Sequence, residues 1–174
     1  MRGAGAVGAS NFGVACGPVI SSYRISTRTH PRSHAKAPTA ATRARICTAA
    51  RATLAHQHVA PGTSICVIYS VDSYLQQLNR QFSGVDAPTD VLAFPDDAGD
   101  GHLGDVIISA ERAAQSARRG GHGTSDELQL LTVHGALHLL GHDHTAPAER
   151  ARMWKMQAEI LAELGLSISA PTAA

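Results

Sequence analysis

Leu130–His144 reads LLTVHGALHLLGHDH, and its histidines at positions 134, 138 and 144 decide how the rest of the chain is read. His134 and His138 are four residues apart, so on a helix they project from one face, one turn from each other. Gly141 stands three residues after His138 and suits a helix that ends in a left-handed turn. Such a turn carries His144 back toward the other two. Three imidazoles converging on a point, with a fourth position left for water, are the ligand set of a catalytic zinc site.

Ten histidines in 174 residues make one pair at this spacing weak evidence. A third histidine beyond a helix-stopping glycine is much stronger. A closed structural zinc site would need a fourth ligand, for which His142, Asp143 and three scattered cysteines (Cys16, Cys47, Cys66) are the candidates. No second ligand pair stands at finger-like spacing, so an open site with one ion ranks higher. The histidine and glycine spacing equals the metzincin protease pattern H-E-x-x-H-x-x-G-x-x-H. The glutamate that serves as general base in those enzymes is Gly135 here, which argues against a protease.

The length suits one domain with a real core. No run of about 18 apolar residues occurs, so no membrane span is expected. An odd number of cysteines without metal or redox spacing fits a reducing compartment. Charge is unevenly placed. Residues 1–71 hold eight Lys or Arg and no Asp or Glu, whereas the remaining 103 hold seven basic and fourteen acidic residues. A basic half suits an anionic partner such as RNA. It also resembles an acid-poor transit peptide. Cytoplasm is the default, because the candidate first strand begins too early to leave a typical transit peptide, and an organelle address stays open.

Outward from the histidine stretch, the chain reads as alternating short elements. A run at Val19–Ser26 is a candidate edge strand. Thr39 to about His56 has helical spacing, with Ile46, Ala49, Ala50 and Leu54 as its buried stripe. Ser64–Ser70 is apolar and β-rich enough to be a central strand. Asp72 is expected to cap a short helix carrying Tyr74, Leu75 and Leu78, with a loop from Ser83 to Thr89. Asp90–Phe94 and Leu103–Ser109 read as strands, and Ser109 caps a helix running to about Arg118. Thr124–Glu127 has the spacing of a capping box and announces the histidine helix, whose core-facing residues include Leu128 and Leu131. Pro147 opens a last helix with Met153, Met156, Ile160 and Leu164 at spacings of three and four, and Gly165 stops it. The sum is an α+β domain in which a small mixed sheet packs against helices, one of them carrying the metal ligands.

Three stretches together resemble the YbeY family of metal-dependent, rRNA-processing endoribonucleases: HGALHLLGHDH, LNRQFSGVDAPTDVLAFP at Leu78–Pro95, and LGDVIIS at Leu103–Ser109. They occur in the family's order and spacing. The resemblance implies a zincin-like fold and a single Zn²⁺ held by His134, His138 and His144. It also implies cleavage of single-stranded RNA, 3′-end maturation of 16S-type rRNA, ribosome quality control and the ribosomal small subunit as partner. On this reading residues 1–17 are a flexible extension, residues 18–166 the single endoribonuclease domain and residues 167–174 a flexible tail. Two positions depart from the family. Ser83 stands where the family carries an arginine before the loop glycine, which makes Arg80, three residues earlier, the candidate RNA contact. His142 stands where a tyrosine is usual and is expected to serve packing or to support the ligands. Asp143 is a candidate to orient a ligand through a hydrogen bond, with a turn-forming role weighed equally. No residue is assigned as catalytic base. The rival functions are a metalloprotease and a non-catalytic ribosome assembly factor that kept its metal as a staple.

Overall fold

The computed structural model describes residues 23–31 and 37–168, so the expected extension, Val19–Ser22, Cys16 and the last six residues lie outside the described part. Nine elements follow one another in the expected order: β1 (Arg24–Thr29), α1 (Ala40–His56), β2 (Ser64–Ser70), α2 (Asp72–Ser83), β3 (Val91–Pro95), β4 (His102–Ser109), α3 (Ala110–Gly120), α4 (Thr124–Leu139) and α5 (Pro147–Glu163). The four strands form one mixed sheet in the order β1-β2-β4-β3, packed against five helices. β1, β2 and β4 run parallel, and β3 lies antiparallel to β4 at the edge. The parallel strands are joined through helices, as parallel pairing requires.

Side-chain parity sets the two faces of the sheet. Ile65 and Val67 of β2 and Val106 and Ile108 of β4 enter one core cluster with α1, α4 and α5. Cys66 and Ile107 have the opposite parity and are buried as well. The second face is covered there by α2, which packs on β4 and β3 and buries Leu75 completely. β4 therefore ends in an unbroken buried run from Val106 to Ser109, as strands covered on both sides do. In α1 the buried residues are the expected Ile46, Ala49, Ala50 and Leu54, together with Thr53, whose hydroxyl donates to the Ala49 carbonyl at 2.9 Å.

α4 is the central element. Every residue from Glu127 to Leu137 is buried, and the helix touches α1, α3, α5, β3 and β4. A helix apolar all round belongs in the interior. Gly135 explains how close it comes to the sheet. A Cβ at that position would lie 2.5 Å from Val106 Cγ1 and 3.2 Å from Val91 Cγ2.

Two expected helix starts are corrected. Ser109 caps α3, as read from the sequence, and Thr39, where the helical stretch was expected to begin, proves to cap α1 through its hydroxyl. Asp72 is not a cap: Val71 holds that position without a side-chain bond, and the Asp72 carboxylate instead accepts from the Ser109 hydroxyl. The capping box at Thr124 does not form either. Gly123 is the N-cap, and its carbonyl takes the Asp126 and Glu127 amides at 2.9 and 3.1 Å. The Glu127 carboxylate is diverted to His122 Nε2 at 2.6 Å. α2 extends through Ser83, one residue into the expected loop, and ends on Gly84 at φ 72°. Leu166 and Ile168 pack against the core, so ordered contacts reach beyond Gly165. Among the described residues no helix is long and apolar enough to cross a membrane.

Candidate metal centre

The last two turns of α4 carry His134 and His138, and the ending of that helix is a Schellman motif. Gly141 adopts φ 84°, its amide donates to the His138 carbonyl at 2.9 Å, and the His142 amide donates to the Leu137 carbonyl at 3.1 Å. The chain then turns back. The Asp143 carboxylate accepts from the His144 amide at 2.7 Å and from the Thr145 hydroxyl. Arg150 Nε donates to the His144 carbonyl at 3.0 Å, tying the loop to the first turn of α5.

This path brings the three predicted imidazoles together. One nitrogen from each of His134, His138 and His144 lies within 4.8 Å of the others, a grouping that could hold a metal ion. Ring centroids are 4.7 Å apart for His134–His138, 5.0 Å for His138–His144 and 5.4 Å for His134–His144. His134 Nε2 and His138 Nε2 approach to 3.1 Å. Trp154 of α5, the single tryptophan of the chain, stands 5.7 Å from the His134 ring and 5.4 Å from the His144 ring. It forms an apolar wall to the cluster.

Protonation favours ligation. Burial, then repulsion from His138, lowers the His134 pKa to about 4, against an opposing hydrogen bond from Gln157. Burial, then His144, also lowers the pKa of His138. Neutral imidazoles near pH 7 are what a metal site needs. The donor chemistry therefore fits a divalent ion. A consequence for stability follows by linkage. The His134 pKa falls on folding, so below 6.5 the unfolded chain takes up the proton first. The His134 contribution to the stability of the metal-free protein is expected to fall as pH drops from about 6.5 to about 4, by roughly 3 kcal/mol, and to level off below. Urea unfolding at a series of pH values, with chelator present, measures this.

Gln157 was not anticipated. It is buried on α5, and its Oε1 accepts from His134 Nδ1 at 3.0 Å. That bond keeps the proton on Nδ1 and leaves the Nε2 lone pair facing the cluster. The signal was present in the sequence: Gln157 interrupts the Met153–Ile160 apolar stripe on a helix face that is otherwise buried. Gln157→Leu is expected to weaken metal binding by about 10- to 100-fold while leaving the three ligands in place. Competition for the ion against a chelating dye reads that loss.

The other expected residues fall elsewhere. The Asp143 carboxylate is exposed and serves the turn that carries His144, bonding to backbone and to Thr145; the ring-orienting bond belongs to Gln157. His142 points to α1, where its Nε2 meets Gln57 Oε1 at 2.9 Å. Arg80 lies on the exposed side of α2, 3.9 Å from Asp86, and no contact joins it to the three histidines.

A family model described as Endoribonuclease YbeY matches residues 28–165. A protein of Chloroflexus aurantiacus named Endoribonuclease YbeY is 46% identical over 129 residues, covering 68% of this chain and 84% of that protein. One of the same name from Carboxydothermus hydrogenoformans is 50% identical over 97 residues, covering 55% of this chain and 68% of the relative. The solution structure of TM1509 from Thermotoga maritima has the same fold with a TM-score of 0.52 at 23% identity, covering 81% of this chain and 91% of that one.

Proposed function

The chain belongs to the endoribonuclease YbeY family, and from that premise we propose that it is a zinc-dependent hydrolase of single-stranded RNA. Its role is 3′-end maturation of 16S-type rRNA and ribosome quality control at the small subunit in the cytoplasm. Residues 18–166 make up the one zincin-like endoribonuclease domain. The observation that carries this reading is the convergence of three imidazoles on one point at the end of a buried helix, two of them with a pKa lowered by burial.

His134, His138 and His144 would hold the ion, and three nitrogen donors suit zinc. When bound, it supplies Lewis acidity, polarising a phosphoryl oxygen and making water acidic near neutral pH. The chain supplies the rest. Neutral ligands leave the ion's charge uncancelled for a phosphodiester anion. Gln157 locks the His134 ring in the ligating tautomer. The Schellman ending and the Asp143 turn hold His144 in place before any ion arrives. Gly135, where a protease would carry its carboxylate base, faces Val106 and Val91 of the sheet, which supports phosphodiester rather than peptide chemistry.

The test compares purified protein on single-stranded RNA, duplex RNA and casein, with and without chelator. Cutting of single-stranded RNA alone, lost on chelation and restored by zinc, is expected. Zinc-dependent digestion of casein with RNA left whole would reverse the reading.

A further inference from the structure

The acid-free N-terminal half has no part in the metal centre, yet two of the three parallel strands come from it. Their outer face holds a groove of about 430 Å³ lined by Arg24, Ser26, Arg28, Ser64, His102 and Asp105, among others. Strand pairing places these side chains in rows. Arg24, Ser64 and His102 share one row, and Ser26, Cys66 and Asp105 the next. Arg24, Ser26 and Arg28 alternate along β1 and all are exposed.

A bulge completes the face. Ser64 pairs with His102, but Ile65 pairs with Gly104, so Leu103 is an extra residue in β4. Strict alternation would send His102 and Asp105 to opposite faces; the extra residue brings them to the same one. Gly104 makes this possible at φ 132°, where a Cβ would stand 2.1 Å from the Phe94 carbonyl oxygen. The His102 ring is then held between the Ser64 hydroxyl at 3.0 Å and the Asp105 carboxylate at 3.4 Å.

The charge of the groove is lopsided. Asp105 is its single carboxylate and already faces His102. Neither the Arg24 nor the Arg28 guanidinium has an ion pair or hydrogen bond with any described residue. The two arginines are four strand residues apart, about 13 Å along the backbone. That is too far for one small anion to bridge and suits a chain of phosphates.

We propose that this groove binds the phosphate backbone of single-stranded RNA, as a second contact surface on the sheet face opposite α4. The inference rests on the RNA reading above and extends it from the cutting centre to substrate grip. A labelled single-stranded RNA, titrated in chelator so that nothing is cut, gives affinity and its dependence on salt. In the Arg24→Ala/Arg28→Ala double variant, affinity is expected to fall on the order of tenfold. The slope of log K against log salt is expected to flatten by about 1.4, at roughly 0.7 for each lost phosphate contact on a single strand. With zinc restored, KM should rise while kcat holds, and the melting temperature should not move. Wild-type affinity and slope in the double variant, with RNA still cut by both proteins, overturns this inference alone. A wild type that neither binds nor cuts RNA overturns it together with the reading beneath it. Polyglutamate binding as tightly as RNA of equal charge would mark a surface for acidic proteins and also overturn it.

Discussion

His138→Ala is expected to remove RNA cleavage by about 10³-fold or more while the protein stays folded. The loss follows from the role of the ligand. Two imidazoles cannot hold the ion in a defined place, and Lewis acidity is worth several kcal/mol of transition-state charge stabilisation, tenfold for each 1.36 kcal/mol. The survival of the fold follows from position. His138 lies at the end of α4 and is half-buried, unlike Leu131, Val133 and Leu137, which have almost no exposure. Removing a ring whose charged form is already disfavoured leaves the core untouched, so stability should change by less than about 2 kcal/mol. RNA cleavage rates beside thermal melts of wild type and variant check both halves. A variant that unfolds, from a wild type that never cuts RNA, would point to a structural metal in an assembly factor.

Gly135→Glu, which would restore the protease base at its position in the spacing pattern, is expected to leave no stable protein. The first side-chain atom alone meets Val106 Cγ1 at 2.5 Å and Val91 Cγ2 at 3.2 Å. Both partners are β-branched residues fixed in the sheet, so they yield poorly. Overpacking of this kind costs about 1–3 kcal/mol. A carboxylate without a partner in the same place adds several kcal/mol more. Against a total stability of about 5–15 kcal/mol, the sum removes most or all of it. Gly135→Ala carries only the first cost and should fold with a midpoint shifted to lower urea. Unfolding curves for the three proteins separate these outcomes, and a well-folded Gly135→Glu would refute the close packing of α4 on β4.

The order of the nine elements was legible because most have a strong local period or a strong stop; β1, read at Val19–Ser26, has neither and lies at Arg24–Thr29. Ser64–Ser70 is β-rich and apolar, α1 repeats Ile46, Ala49, Ala50 and Leu54 at helical spacing, and Pro147 and Gly165 bracket α5. Helix starts were less legible. Thr124 and Asp72 both have capping chemistry, but Glu127 is claimed by His122, five residues before it, and Asp72 by Ser109, distant in sequence. The convergence of the histidines was readable because it is local, set within eleven residues by helix pitch and one left-handed glycine. Gln157 and Trp154 were not found because they reach the cluster only through the docking of α5 on α4. The outer groove was hidden for the same reason, since it depends on strand order and on one bulge. Basic composition foreshadowed it without placing it.

The most direct test of the account is the metal content of the purified chain, measured with the RNA-cutting activity of the same sample. One zinc per chain in the wild type, with activity following zinc content and both lost in His134→Ala, is the expected result. Full cleavage of single-stranded RNA by protein stripped of metal would contradict it.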